Sequence, residues 1–430
     1  MQDADVRGRF HVTAAWVRRI SLLAVLLGAV SATAFDEEQP GVVYPNGVVT
    51  PRRDLWPDPI DSAAEFDRAS RAEILVFAHA LADSETFGDD VWKDRLGIDT
   101  VDVDSIHHTQ HDLWQRVSQN YAIAARGCAA DEAFCPATPE ANSFRQEAEA
   151  FSSDIIQPRY KAWFDDATRF QETYLNDLLR LAALFPSSNN EIEIFNGNEM
   201  RGWKLQDRHF LLSFDDGPTP GPKREGPSED SKAVNTDLTL DMLRRNHVNG
   251  VFFSLGASFQ ARLRDSSVDA MKTLYSGMCI GSHGWTHKSH ARWPQWQDSV
   301  ASSSKLIHDT LPDSYVPAFR PPYGQRLPDS GPYFQRRGLK VVLWNIDSHD
   351  WDDALTPDDV RQRVMSLMLL WRRGIVLFHD FFPRAHAVVP RLISWLGHDD
   401  VTWVNCHDVD WSGGNRSAAR SGDATSNQNR

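Results

Sequence analysis

The sequence predicts an all-α helical domain over residues 62–188, followed by a β/α barrel over residues 205–411. Three observations support this α/β fold class. In the first part, apolar residues recur every three or four positions, which is typical of amphipathic helices. In the second part, short apolar runs alternate with helical patterns, which indicates parallel β-α units. Polar residues follow these runs directly, at the strand ends where a β/α barrel carries its functional side chains.

The composition is that of a globular chain with a substantial core. Its 430 residues are 41% apolar and include 22 Phe and 15 Trp, more aromatic bulk than a disordered chain carries. The formal net charge is −14, and the body of the chain has no run of basic residues. Because nucleic acids are bound through clusters of Lys and Arg, we expect no nucleic-acid partner.

Residues 1–34 are predicted to be an export signal. Arg18 and Arg19 precede a nearly continuous apolar run at Ile20–Val30, and an Ala-Thr-Ala triplet at 32–34 has the small residues of a cleavage site. A bilayer needs about 20 apolar residues to be spanned, and this run is shorter. We expect a cleaved signal, no stable membrane span in the mature protein, and a periplasmic or extracellular location. An uncleaved anchor is the alternative.

The helical domain contains three candidate helices, at Ala64–Ala82, Ser105–Ala125 and Tyr160–Phe185. The third has the clearest helical periodicity and ends at a Pro-Ser-Ser-Asn-Asn turn. Its recurring apolar positions are Trp163, Phe164, Ala167, Phe170, Tyr174, Leu178 and Leu181. The Pro-rich segment 35–61 is predicted to be an extended linker, and the Ser- and Gly-rich segment 412–430 a disordered tail.

Six short apolar runs are the predicted strands of the barrel. They are Phe210–Phe214, Val251–Leu255, Met278–Ser282, Val341–Asn345, Ile375–Phe378 and Val401–Asn405. Cys279 and Cys406 lie in two of these runs, and we expect them to be buried thiols. Cys128 and Cys135 share one polar segment and are close enough to bridge in an oxidising compartment.

Asp215 and Asp216 end the first predicted strand. Two adjacent acids are costly to keep at such a position without partners. Gly217-Pro218 forces a turn that can hold both carboxylates at the mouth of the barrel. Asp-Gly is also common in ordinary turns, so this cluster does not establish a functional site by itself.

His283 and His287 follow the third predicted strand. Imidazoles four residues apart meet on one face of a helix or tight turn. Neutral His is the commonest zinc ligand, and two His with one carboxylate leave an open coordination position for water. A His pair at this spacing is more often exposed and without a function. The pair therefore indicates a metal site only in combination with the other clusters.

Three further clusters carry candidate functional residues. Arg320 precedes two prolines that fix the backbone in an extended turn, and an arginine there can hold a carboxylate bidentately. Asp347 and Asp350 stand in a turn beside Trp351. His379 ends the strand that begins near Ile375.

Taken in order, these clusters resemble the five signatures of the polysaccharide deacetylase family, the NodB-homology domain of carbohydrate esterase family four. The signatures are a Phe-Asp-Asp-Gly strand end, a His pair, an Arg-x-Pro-Tyr loop, an Asp-x-x-Asp-Trp turn and a Leu-x-His strand end. Each occurs here without a substituted functional position. The resemblance covers Leu205 to Asp410 and implies a distorted (β/α) barrel of the NodB type.

The resemblance also implies a metal site and a general base. Asp216, His283 and His287 would hold a divalent metal, with zinc the first candidate and cobalt or nickel the alternatives. Asp215 would be the general base, oriented by Arg320. The metal would activate water for attack on an acetyl group.

His379 would be the general acid, with its pKa raised by a carboxylate of the fourth signature. The resemblance leaves open whether Asp347 or Asp350 supplies that carboxylate, so both remain candidates. The residues implied in substrate binding are Tyr323, through its backbone N–H, and Trp351 and Leu377, which would line the pocket for the acetyl methyl group.

The implied activity is removal of N-acetyl groups from an amino-sugar polymer, with peptidoglycan the first substrate candidate and chitin-like polymers or exopolysaccharides next. One alternative is an O-acetyl esterase acting on a polysaccharide such as xylan. A second is a non-catalytic carbohydrate-binding protein that uses exposed tryptophans for stacking. The tryptophans considered are Trp285, Trp293, Trp296 and Trp351. A binding-only protein would be expected to have lost a functional residue, and none is lost.

Overall fold

The computed structural model describes residues 47–128, 133–136, 143–185, 195–222, 234–395 and 401–412. The predicted signal and nearly all of the predicted tail lie outside these ranges. The described residues belong to one compact unit, assigned to residues 37–430. Within the described part of the chain, no helix combines the length and apolarity that a membrane span requires.

The N-terminal part is helical, as the sequence predicts. Its helices are α1 (Ala63–Ser84), α2 (Asp89–Leu96), α3 (Val103–Ala124), α4 (Ser143–Ala150) and α5 (Lys161–Leu184). Side chains cap the two long helices α1 and α3, since Ser62 accepts a hydrogen bond from the Glu65 N–H and Asp102 from the Ser105 N–H. The short helices α2 and α4 were not predicted.

The second part contains a curved parallel sheet. Its strands are β1 (Glu199–Met200), β2 (His209–Asp215), β3 (Gly250–Ser254), β4 (Cys279–Ser282), β5 (Tyr315–Phe319), β6 (Lys340–Val342), β7 (Ile346–Asp347), β8 (Gly374–His379) and β9 (Thr402–Trp403). The strand order is β1-β6-β5-β4-β3-β2-β8-β7, and β9 pairs with the start of β2. Neighbouring strands run parallel throughout.

The connection between β6 and β7 shows that this sheet is curled into a barrel. These strands stand at opposite sides of the strand order, which would separate them by roughly 29 Å in a flat sheet with strands about 4.8 Å apart. Only residues 343–345 connect them, and so short a segment spans at most about 14 Å. The sheet therefore curves until its two sides meet, which brings the ends of all its strands around one mouth.

Each of the six predicted strands is present, with ends within three residues of the predicted ones. Strands β1, β5 and β7 were not predicted. Strands β1 and β7 have two residues each, too few to form a recognisable pattern. Strand β5 contains Pro317, which cannot donate a ladder hydrogen bond, and its register against β4 shifts at this point.

Among its described residues, the second part also contains seven helices: α6 (Asn235–Arg245), α7 (Gly256–Asp265), α8 (Val268–Leu274), α9 (Trp296–Thr310), α10 (Gly331–Arg337), α11 (Pro357–Trp371) and α12 (Arg384–Trp395). Of these, α11 joins the barrel to the helical part. Its Trp371 donates to the Tyr174 hydroxyl at 3.0 Å and packs edge-on against Phe77, with ring centroids 5.5 Å apart. Both parts therefore contribute to one continuous apolar core.

The cysteines correct one expectation and confirm another. Cys279 and Cys406 are not free thiols, because their sulfurs form a disulfide across 127 residues of sequence. The separation in sequence hides this pairing, whereas β4 and the segment after β9 are adjacent at the start of the barrel strands. Cys128 and Cys135 form the predicted short-range bridge.

Candidate functional site

Asp215 and His379 lie side by side at the mouth of the barrel. Asp215 is the last residue of β2, His379 is the last residue of β8, and the parallel register pairs the two positions directly. The neighbouring strand β3 ends level with them, because Phe253 is the partner of Asp215 on the other side. The predicted clustering of polar residues at the carboxyl ends of the strands is therefore observed for this part of the sheet.

Asp216, His283 and His287 form a compact set of possible metal ligands. Asp216 has a left-handed backbone with φ of 76°, which turns its carboxylate towards the loop after β4. Its Oδ1 lies 3.4 Å from His283 Nε2 and 3.6 Å from His287 Nε2. One ligand atom from each residue lies within 4.8 Å of the others. Asp216 and His283 are buried, and His287 is partly exposed.

The hydrogen bonds of this set are compatible with a cation between its ligand atoms. His283 Nδ1 is 2.7 Å from the Arg320 carbonyl oxygen, which can only accept, so this nitrogen carries the hydrogen. His283 Nε2 then directs a lone pair at Asp216 Oδ1, a buried atom without a hydrogen bond from any residue in the described ranges. Two facing acceptors repel each other unless a cation or proton lies between them. The set fits a His₂Asp metal site.

The pKa values agree with ligand chemistry. Burial lowers the pKa of His287 to about 4, so its imidazole is neutral at physiological pH. Burial raises the pKa of Asp216, but the nearby imidazoles of His287, His283 and His379 bring it well below its usual range. A neutral imidazole and an ionised carboxylate are the protonation states that bind a divalent cation.

Asp215 is held by Arg320 in a fully buried ion pair. Arg320 Nη1 donates to Asp215 Oδ1 at 2.8 Å, and the two side chains are 0% and 3% exposed. The guanidinium also donates to the Ser213 hydroxyl at 2.9 Å and to the Val342 carbonyl at 3.1 Å. It stacks on Phe253, with 4.3 Å from Cζ to the ring centroid. These contacts fix the position of one carboxylate oxygen beside the metal-ligand set.

His379 is paired with Asp350 on the other side of the set. The His379 ring Nδ1 is 2.8 Å from Asp350 Oδ1, and the His379 backbone N–H donates to Asp350 Oδ2 at 2.9 Å. His379 Nε2 faces the ligand set, 4.0 Å from Asp216 Oδ2. Burial alone would lower the pKa of His379, but the charge and hydrogen bond of Asp350, with Asp216 and Asp215, raise it to about 10.

Asp347 has a different position from Asp350. Its Oδ1 accepts the backbone N–H of His349 at 2.9 Å, which closes the turn between the two acids. Burial raises the pKa of Asp347. Of the two carboxylates that the sequence left as alternatives, Asp350 is therefore the one hydrogen-bonded to His379.

The three remaining predicted residues, Tyr323, Leu377 and Trp351, have different surroundings. Tyr323 has a left-handed backbone with φ of 59°, and its ring centroid is 4.4 Å from that of His287. Leu377 is buried in the apolar interior of the barrel. Trp351 is partly exposed and lies against His349, with ring centroids 5.0 Å apart. Their roles in binding an acetyl group remain predictions.

Asp380, a buried acid next to His379, was not predicted as a site residue. Its Oδ2 accepts a hydrogen bond from the Thr236 hydroxyl at 2.9 Å. Burial, the largest effect, raises its pKa to about 7. A Cβ on Gly217 would lie 2.1 Å from the Asp380 carboxylate, so the glycine of the first signature is needed for this close approach. The sequence feature that could have identified Asp380 is its position directly after His379.

A second cluster of possible metal ligands among the described residues consists of Cys279, Cys406 and His407. The two sulfurs are bonded to each other, so neither offers a thiolate to a cation. The Asp216 set is therefore the candidate metal centre.

Comparison with known proteins shows which family the barrel resembles. Residues 203–342 match the family model described as polysaccharide deacetylase. Chitin deacetylase 1 of Saccharomyces cerevisiae is 28% identical to this chain over 216 residues, which are 46% of this chain and 61% of the yeast protein. Residues 203–342 therefore resemble the polysaccharide deacetylase family, and the barrel that contains them is called the deacetylase domain after this similarity. The match to the family model includes Asp215, Asp216 and Arg320 and ends before Asp350 and His379.

Other proteins similar to the deacetylase domain are named for peptidoglycan rather than chitin. The peptidoglycan-N-acetylglucosamine deacetylase PgdA of Listeria monocytogenes serotype 1/2a is 27% identical over 201 residues, 45% of this chain and 38% of that protein. A solved peptidoglycan N-acetylglucosamine deacetylase is 20% identical, with a TM-score of 0.40, over 48% of this chain and 89% of that one. This chain therefore spans under two thirds of the length of the yeast and Listeria relatives.

Proposed function

We propose that the deacetylase domain removes N-acetyl groups from an amino-sugar polymer, with a divalent metal held by Asp216, His283 and His287. The observation that carries the proposal is the unpaired, buried Asp216 Oδ1 facing two imidazole nitrogens. A buried ion pair containing a carboxylate lies on one side of it, and a carboxylate-bound imidazole on the other. This is the arrangement that metal-assisted amide hydrolysis requires.

The metal would polarise the acetyl carbonyl and lower the pKa of attacking water towards about 7. Asp215, with one oxygen fixed by Arg320, takes the proton of that water as the water oxygen bonds to the acetyl carbon. The backbone N–H of Tyr323 stabilises the oxyanion, a contribution of about 3 kcal/mol for one donor. His379 donates its Nε2 proton to the nitrogen as the carbon–nitrogen bond breaks, which releases acetate and a free amine.

The raised pKa of His379 favours an amine leaving group over an ester one. A departing amine needs a proton, and a ring held protonated by Asp350 supplies it at physiological pH. We propose zinc as the metal, since two His and one Asp suit it, with cobalt or nickel as alternatives.

We propose peptidoglycan as the first substrate to test and chitin oligomers as the second. The relatives described above are named for both polymers. The proposed location is outside the cytoplasm, after removal of residues 1–34, where such polymers are met.

The test is acetate release from N-acetylated peptidoglycan and from chitin oligomers, with zinc supplied, for the wild type and Asp215→Asn. Asp265→Asn is the matched control, because Asp265 is an exposed residue at the end of α7. We expect release by the wild type and the control and none by Asp215→Asn. No release by the metal-loaded, folded wild type from either polymer would contradict the proposal; release from acetylated xylan alone would establish the esterase.

A further inference from the structure

A surface cavity lies beside the loop that carries the two proposed histidine ligands. Its volume is about 280 Å³. It is bounded by the loop after β4 and by the first turns of α9. The lining residues are Trp285, Trp293, Gln295, Asp298, Ser299 and Ser302. None of these residues has a role in the reaction proposed above.

Trp285 is held rigidly at this cavity. Its backbone N–H donates to the Ser299 hydroxyl at 2.7 Å, and its carbonyl accepts the Ala257 N–H at 2.9 Å. The indole lies so close to Gly256 that a Cβ there would be 2.6 Å from its ring. Trp285 stays partly exposed, so the cavity has a preformed aromatic wall that loses little conformational freedom when a ligand binds.

The four tryptophans considered for sugar stacking differ in their burial and in whether they line the cavity. Trp296 is buried against Tyr333 and Phe334 and belongs to the core. Trp351 lies in the turn between Asp350 and α11. Trp285 and Trp293 are both partly exposed and both line the cavity. Among these four, Trp285 and Trp293 are therefore the pair that shares a cavity.

The polar groups of the cavity complement hydroxyl-rich rings. Gln295 and Ser302 are exposed and offer an amide and a hydroxyl, while Asp298 offers a carboxylate that accepts hydrogen bonds from hydroxyl groups. An indole face packs on the apolar C–H face of a pyranose ring. An anionic ligand would be opposed by Asp298. The volume of about 280 Å³ is just below the range of about 300–1,000 Å³ for drug-sized ligands, which suits a single sugar ring.

We propose that this cavity is an accessory subsite that binds one pyranose ring of the polymer, away from the acetyl group being removed. Trp285 lies between His283 and His287 in sequence and lines the cavity, so the cavity adjoins the loop of the proposed metal centre. The identity of the polymer rests on the proposed function, whereas binding of a sugar ring here does not require catalysis.

The experiment measures binding and turnover separately. Affinity for N-acetylglucosamine hexamer and dimer is measured by calorimetry in the inactive, zinc-loaded Asp215→Asn protein. Trp293→Ala removes one wall, Ser302→Trp fills the cavity, and Gln297→Ala is the control, an exposed α9 residue outside the lining. We expect hexamer affinity to fall roughly three- to tenfold in both cavity variants and to stay unchanged in the control. Dimer affinity should change little.

The kinetic readout distinguishes this proposal from the proposed function. On the otherwise wild-type enzyme, KM for the hexamer should rise in the two cavity variants while kcat stays unchanged. If the wild type releases no acetate but the cavity variants still weaken hexamer binding, the subsite stands and the proposed function fails. Unchanged hexamer affinity in both variants, or no binding of the hexamer by the parent protein, overturns the subsite.

Discussion

Two buried charged pairs flank the proposed metal centre, and they are held in different ways. The Asp215–Arg320 pair is fixed by the barrel itself, since Arg320 follows β5 and its other partners are Ser213 in β2 and Val342 in β6. In the Asp350–His379 pair, His379 ends β8 and Asp350 lies in the turn after β7, whose Ser348 N–H donates to the Leu377 carbonyl of β8 at 3.2 Å. The first pair is therefore fixed by contacts with strands β2 and β6, whereas the position of Asp350 in the second pair depends on a turn.

Arginines from outside the signatures hold that turn. Arg363 of α11 donates from Nε to the Asp347 carbonyl at 3.0 Å and from Nη2 to His349 Nε2 at 3.2 Å. Its guanidinium lies 5.7 Å from the ring centroid of Phe170 and 5.6 Å from that of Tyr174, both in α5. Arg384 donates to the Asp350 carbonyl at 2.9 Å. Helix α5 of the helical part thus contacts Arg363, which holds the turn that carries Asp350.

Among the variants of residues that support the two pairs, Asp350→Asn is expected to lose the most activity. Without the carboxylate, kcat should fall about 10²- to 10⁴-fold, the range for a general acid. His379 must be protonated to act, so activity is lost as pH rises through its pKa. Removing Asp350, the main cause that raises this pKa, moves the alkaline limb of the kcat profile to lower pH. An unmoved alkaline limb would show that another group limits activity there.

Arg320→Met should cost both activity and stability. Asp215 would be left buried without its partner, which typically destabilises a protein by about 3–5 kcal/mol. Urea denaturation measures this loss. The matched variant is Arg361→Met, whose guanidinium pairs with Asp358 at the surface and should be within about 1 kcal/mol of wild type. Equal stability of the two variants would contradict the structural importance of the buried pair.

Arg363→Lys tests whether the second pair depends on α11. A lysine keeps the charge but cannot donate to the Asp347 carbonyl and His349 with the same geometry, so kcat should fall about tenfold with KM little changed. The nuclear magnetic resonance signal of the His379 ring proton should shift as well. Arg361→Lys, on the same helix, controls for a general effect of the substitution. A rise in KM alone would place the effect in substrate binding instead.

Loss of the Cys279–Cys406 disulfide should affect activity least. Cys279 begins β4, whereas the proposed ligands follow the end of that strand, so the bridge lies at the opposite end of the barrel. The double Ser variant should lose about 2–5 kcal/mol of stability in denaturant unfolding. At a temperature where the variant remains folded, its kcat should equal that of the wild type. A large fall in kcat would contradict the inference that the disulfide does not affect the proposed metal centre.

The signatures predicted the fold class and the residues at the strand ends because these depend on local patterns. Asp215 and His379 each end an apolar run, and the parallel register of β2 and β8 places the two residues side by side. The supporting contacts could not be predicted, because they join residues far apart in sequence. Arg363 and Tyr174 belong to different parts of the chain, as do Cys279 and Cys406. Strand β5 was not predicted because it contains Pro317, which lacks the backbone N–H that a strand residue donates. In the structure, the register of β5 against β4 shifts at this proline.

Dependence of acetate release on metal tests the central claim most directly. The wild-type protein would be treated with a chelator, dialysed, and assayed on chitin oligomers and peptidoglycan before and after zinc is restored. The account predicts that release is lost on chelation and regained with zinc in the wild type, and that zinc restores nothing in His287→Ala. Full acetate release by the metal-free wild type would contradict it.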